Sequence, residues 1–232
     1  MRKILFIGLL TAALCCRAQA QEIRPREAGF EDYRVLLEAA GYEAYSFDLR
    51  DFLAGRYDVS FRIEEYVDGK RVEGGDVVGH MGVNKLLLTD FPEEQRGDVR
   101  PEDMADPEAG VLRQAESLTI GFYPSEEDST ANVSISLAGM GRMGRPLSLK
   151  PVVTPDRTFY NYGARQFRIE GFEPGRFIPL VFYGSWWYDE RVNLIRFCGE
   201  REIAPDLSSE IVANVPHFYV IGVVLTEKQE KQ

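Results

Sequence analysis

The stretch RYDVSFRI, Arg56–Ile63, alternates without a break: Tyr57, Val59, Phe61 and Ile63 are apolar, while Arg56, Asp58, Ser60 and Arg62 are polar. Side chains two apart on an extended chain share a surface, so this pattern predicts a strand with one face on a core and one in water. The stretch continues to Asp68-Gly69, a pair suited to the positive φ angles of a tight hairpin turn, and Lys70–Glu73 begins the return. Glu65 falls on the apolar phase, which predicts a bulge or a sheet edge at that point.

The same period recurs along the chain. Tyr45, Phe47 and Leu49 alternate; Leu118, Ile120 and Phe122 are answered by Val133, Ile135 and Leu137 across a charged turn, which reads as a long antiparallel hairpin. Further strands are expected at Arg165–Ile169, Phe177–Gly184, Trp186–Tyr188 with Val192–Cys198, and Phe218–Leu225. The last, FYVIGVVL, is apolar at nearly every position, so both of its faces should be covered. One helix is expected at 30–40, where Phe30, Tyr33, Leu37 and Ala40 form a stripe that Gly41 can end. A helix this short draws most of its stability from packing that stripe. Between Phe91 and Arg113 neither period holds, and a long loop is expected. Nine or ten short strands with turn signals between them predict a mainly β fold, an antiparallel β-sandwich with one short N-terminal helix. It would form a single domain over 21–226, ahead of a loose tail at 227–232.

The first 20 residues have the layout of a secretory signal peptide: Arg2 and Lys3, an apolar run Ile4–Leu14, then Ala18-Gln19-Ala20. Lipid anchoring at Cys15 or Cys16 is the competing expectation, against which Leu14 and Cys15 stand where a small residue is wanted. No later segment is apolar enough for a membrane helix. Cleavage would remove three positive charges and move the formal net charge from −10 to −13. Such acidity disfavours nucleic acid and anionic membranes as partners. Cys198 would then be the one remaining cysteine, which excludes an internal disulfide and predicts a small buried hydrophobe.

Chemistry-bearing motifs are sparse. Gly139–Gly144 matches G-x-G-x-x-G, but Pro146 follows and LSLK continues as strand, so a glycine-rich turn is expected and no cofactor. Two histidines and one cysteine cannot fill a zinc site without several carboxylates, so no metal is expected; acidic turns such as Glu126-Glu127-Asp128 read as solvated. A Ser-His-Asp triad would need His80 or His217. His80, between glycines in an expected loop, is the better placed; His217 opens the apolar strand and reads as a capped core residue. Glycoside hydrolysis needs only two carboxylates, and 37 acidic residues leave that open. Asn132-Val133-Ser134 fits a glycan-acceptor pattern.

The chain has two tryptophans, and they are adjacent, Trp186 and Trp187. On a strand they face opposite ways, so only one enters the core. Burying an indole removes about 150–250 Å² from water, an upper bound of roughly 4–6 kcal/mol. Either the helix or the long loop covers the outer ring, or that ring lies open as a platform. An open ring beside Tyr188, Asp189, Glu190 and Arg191 would suit stacking on a sugar and hydrogen bonding to its hydroxyls.

Four runs, EYVDGK (Glu65–Lys70), GFEPGRFIPL (Gly171–Leu180), YGSWWYDE (Tyr183–Glu190) and CGEREIAPD (Cys198–Asp206), resemble a family of small exported proteins from Bacteroides-type gut anaerobes with no assigned activity. The resemblance implies a Gram-negative periplasm or outer surface and glycan-related surroundings, and transfers no catalytic or binding residue. Taken together, the sequence points to a non-enzymatic binding or accessory domain for a glycan, a peptide or an envelope protein. Its expected site comprises Trp186, Trp187, Tyr188, Asp189 and Arg191. The alternative is an extracytoplasmic carboxylate-based hydrolase such as a glycoside hydrolase.

Overall fold

The computed structural model describes residues 25–228, so the expected signal peptide, the anchoring cysteines and most of the expected tail lie outside the described residues. The described residues divide between Val35 and Leu36 into a short unit and a main unit. In the short unit the Arg26 guanidinium binds both carboxylate oxygens of Asp32 at 2.7 and 2.6 Å, and Asp32 also accepts from the Gly29 amide. The helix Phe30–Ala39 spans the division. It ends as expected: Gly41 takes φ +82°, its amide donates to Glu38 and the Tyr42 amide donates to Leu37, a Schellman closure. The stripe, however, is not buried; Phe30, Tyr33 and Leu37 are all exposed.

The main unit is built from two antiparallel-dominated sheets. One has four strands in the order Glu43–Asp48, Ser117–Pro124, Thr130–Leu137, Gly141–Ser148. The other is centred on His217–Glu227, which pairs along its whole length with Tyr57–Val67. On its other side lie Phe177–Ser185, then Tyr162–Phe167, then the parallel Glu202–Ile203. Past the Asp68-Gly69 turn, where both φ angles are positive, Lys70–Arg71 and Val77–Val83 complete the outer edge. The expected alternation is met: Val59, Phe61 and Ile63 join Leu118, Ile120, Val133, Ile135 and Leu137 in one core between the sheets.

The terminal strand is covered on both faces, as its composition requires. Tyr219, Ile221, Val223 and Leu225 enter the first core. Phe218 and Val220 enter a second, with Phe167, Phe182, Ile203 and Ile211. A short helix, Glu210–Asn214, supplies that cover. Its first amides are satisfied by the distant Glu200 carboxylate, which accepts from Glu210 and Ile211. Burying Ile211, Val212 and Val215 on the outer sheet face gives the helix its reason to form.

Several expectations need correction. The 91–113 stretch is ordered through local bonds rather than periodic burial: it holds the short helix Glu93–Arg96 and a 3-10 turn Pro101–Asp103, and Val111–Gln114 pairs with Lys85–Leu87. Cys198 is exposed and not a buried hydrophobe. His80 lies within the strand Val77–Val83 and not in a loop. Glu65 sits at neither a bulge nor an edge; it pairs with Tyr219 inside the ladder. The glycine-rich run opens the strand Gly141–Ser148 after a turn at Gly139.

Gly222 shows how closely the central strands approach. A Cβ there would lie 2.0 Å from the Ile178 carbonyl oxygen, a backbone atom that cannot swing aside. Gly222→Ala is therefore expected to destabilise the fold by about 3 kcal/mol. Thermal unfolding should show a melting temperature lower by roughly 6–12 °C.

Candidate functional site

The inward-facing Glu65 is explained by its diagonal neighbour across the ladder. His217 is buried and its Nε2 lies 3.0 Å from Glu65 Oε1. Its Nδ1 lies 2.5 Å from the Tyr162 hydroxyl, which in turn accepts from the Lys150 amide at 2.8 Å. One arrangement satisfies every short contact: Lys150 N–H to the phenol oxygen, phenol O–H to Nδ1, and Nε2–H to the carboxylate. In that arrangement the imidazole is neutral with its proton on Nε2. Burial holds the His217 imidazole below its ordinary range, against the raising influence of Glu65, and pushes the Tyr162 phenol well above its own. Beside it the Tyr219 hydroxyl donates to the Ser148 carbonyl at 2.8 Å.

The outer side of Tyr162 forms one wall of a cleft of about 400 Å³ at one end of the two sheets. Phe122, from the four-stranded sheet, stacks on Tyr183, from the larger one, with ring centroids 4.2 Å apart and planes 10° apart. Tyr162 leans on Tyr183 at 5.3 Å. Tyr160 and Trp186 extend this aromatic lining, and Asn161, Ser125, Glu43, Glu127 and Asp128 add polar groups. Glu43 is half-buried and accepts from the Tyr45 hydroxyl at 3.1 Å; burial raises its carboxyl above the usual range, partly offset by that bond and by the Ala164 backbone.

Trp186 is placed by strand pairing. Tyr162 opposes Ser185, and one residue further on the Trp186 amide donates to the Asn161 carbonyl at 2.8 Å, just past the strand end. Its ring stacks on Phe197 at 6.3 Å and 13°, and its indole N–H is buried without a hydrogen-bond partner among the described residues. Phe197 in turn lies against Gly163, where a Cβ would meet the ring at 2.6 Å, and under the Arg165 guanidinium at 4.6 Å.

The other residues singled out by sequence stand apart from this cleft. Trp187 is half-buried and packs on the second core. The ring at the cleft is that of Trp186, and Trp187 is absent from the cleft lining. Tyr188 donates to Asn193 at 2.6 Å. Asp189 is buried and paired with Arg191 and Arg196 at 3.1 Å each, which holds its carboxyl below the usual range; Arg191 itself is exposed. These four form a self-satisfied hairpin, Trp187–Asp189 with Leu194–Arg196. Tyr160, Tyr162, Tyr183 and Glu43 escaped the sequence reading. A second cavity, near Arg168 and Arg176, has its charges already cancelled by Glu170 and Glu173.

Residues 13–227 match the family model described as "Domain of unknown function (DUF5041)". No curated protein and no solved structure matches the chain.

The state of His217 gives a pH signature. The folded chain favours the neutral ring, so the unfolded chain binds a proton first as pH falls below about 6.5, and stability present above that pH declines on acidification. Urea midpoints measured across this window should fall for the parent chain. His217→Gln should start lower by about 1–3 kcal/mol, having disturbed the bonds to Tyr162 and Glu65, and should lose this part of the slope.

Proposed function

The chain belongs to the DUF5041 family, and from the cleft beside Trp186 we propose that it is an exported binding domain that holds a glycan. Support for export comes from Arg2, Lys3, the apolar run Ile4–Leu14 and the Ala18-Gln19-Ala20 site. With it goes a Gram-negative periplasm or outer surface of the Bacteroides type, which the resemblance of the four sequence runs favours. The observation that carries the binding reading is the aromatic lining: Trp186, Tyr160, Tyr162 and Tyr183 border one open cleft that also holds Ser125 and Asn161. Aromatic faces take up the apolar faces of a sugar ring, and short polar side chains at the rim take its hydroxyls.

Tyr162 serves such a site as a fixed wall. Its hydroxyl is engaged on two sides, by Lys150 and His217, so its ring need not be ordered when a ligand arrives. Burial raises the phenol, so it holds its proton and is a poor acid, which suits a positioning role. A second reading, a carboxylate-based hydrolase, draws on Glu43, whose raised carboxyl in the same cleft is the condition a general acid needs.

A glycan array probed with the mature chain tests the first reading, followed by titration of the best hit against the Trp187→Phe variant, whose emission comes from Trp186 alone. Binding should change that emission. Trp186→Ala should weaken it by about 2 kcal/mol, or roughly 30-fold. Retained affinity in Trp186→Ala, or an array without hits, removes the reading. For the hydrolase, release of reducing sugar from the bound glycan that disappears in Glu43→Gln is the expected sign; binding without release removes it.

A further inference from the structure

We propose that the cleft selects a glycan bearing a protonated amine, an amino sugar of the unacetylated glucosamine type; the inference rests on the glycan-binding reading and narrows it. Three carboxylates line the cleft, Glu43, Glu127 and Asp128, and no lysine or arginine is among the lining residues. Among the described residues, none of the three carboxylates makes an ion pair. The guanidinium of Arg165, which acts on Glu43 from nearby, is committed elsewhere: it donates to the Ala164 and Phe197 carbonyls and lies over the Phe197 ring. The contrast with the cavity at Arg168 and Arg176 is plain, since there each base has its own acid.

The aromatic lining adds to the same preference. A ring face carries negative charge density and attracts a cation placed over it, most strongly in the case of tryptophan. An ammonium beside Trp186 and Glu43 would meet an aromatic face and a carboxylate together. Glu43 matters most of the three acids. It is half-buried, so a charge-assisted hydrogen bond to it is little screened, whereas Glu127 and Asp128 stand exposed at the rim. A neutral sugar would leave that carboxylate with the Tyr45 hydroxyl, the Ala164 backbone and the field of the Arg165 guanidinium, and with no ion pair of its own.

Three β-1,4-linked disaccharides that differ only at carbon 2 (hydroxyl, acetamide or free amine) make the test, titrated near neutral pH, where the raised Glu43 carboxyl keeps its charge better than under acidic conditions. Salt of about 0.15 M screens the overall negative charge of the chain beyond roughly 8 Å. The free-amine disaccharide should bind at least about tenfold more tightly than the other two. Glu43→Gln should bring the preference to within about twofold, and Glu127→Gln with Asp128→Asn should reduce it less. Glu94→Gln, an exposed acid outside the cleft, should leave it unchanged. Equal binding of all three sugars, lost in Trp186→Ala, overturns the amine preference and leaves the glycan site standing. A preference that Glu94→Gln erodes as much as Glu43→Gln also overturns it, since bulk charge would then be the cause. Binding of none of the three overturns the amine preference, and the glycan reading then stands or falls with the array.

Discussion

The hydroxyl of Tyr162 joins three parts of the molecule that are distant in sequence. It accepts from the Lys150 amide, which follows the last strand of the four-stranded sheet, and meets His217 at the start of the central strand of the larger sheet. Through His217 it reaches Glu65, which lies 152 residues before that histidine in the chain. Buried polar groups are tolerable only when each has a partner, and here each has one. Tyr219, bonded to Ser148, repeats the tie one step further in. The polar layer fixes where the ends of the two sheets meet, and the cleft lies outside that junction.

Inward from this layer, apolar burial dominates. The two cores differ in what closes them. The first is enclosed by two sheets whose alternating residues interlock, so either sheet alone would expose half of it. The second is closed by the short helix Glu210–Asn214 and by the stretch bearing Ile203, held in place through Glu200 and Ser209. That cover leaves the terminal strand one of the best shielded of the chain. It also explains why Gly222 carries no side chain: with strands tight on both sides, the backbone of Ile178 occupies the space.

Much of the architecture was legible because period-two patterning is a local signal. The strand from Tyr57, the Asp68-Gly69 turn, the 118–137 hairpin and the doubly covered terminal strand could all be read from neighbouring residues. Pairings distant in sequence could not. Glu65 was visible as a carboxylate on an apolar phase and His217 as a polar residue opening an apolar strand, yet nothing local says that they meet. The helix Glu210–Asn214 is too short to show a period, and its cap comes from Glu200 rather than from an adjacent residue. Both indoles are half-buried, Trp187 against the second core and Trp186 stacked on Phe197. The cleft fell to Trp186 because that residue lies just past the strand end, where facing is set by Asn161 and Phe197 and not by alternation.

The stack of Phe122 on Tyr183 has a mechanical consequence. Its two rings belong to different sheets and both border the cleft. Any slide of one sheet over the other would pull the pair out of register and change the width of the opening. A guest seated there would act as a clamp across the layers, and a substitution deep between the sheets could retune its grip without touching it.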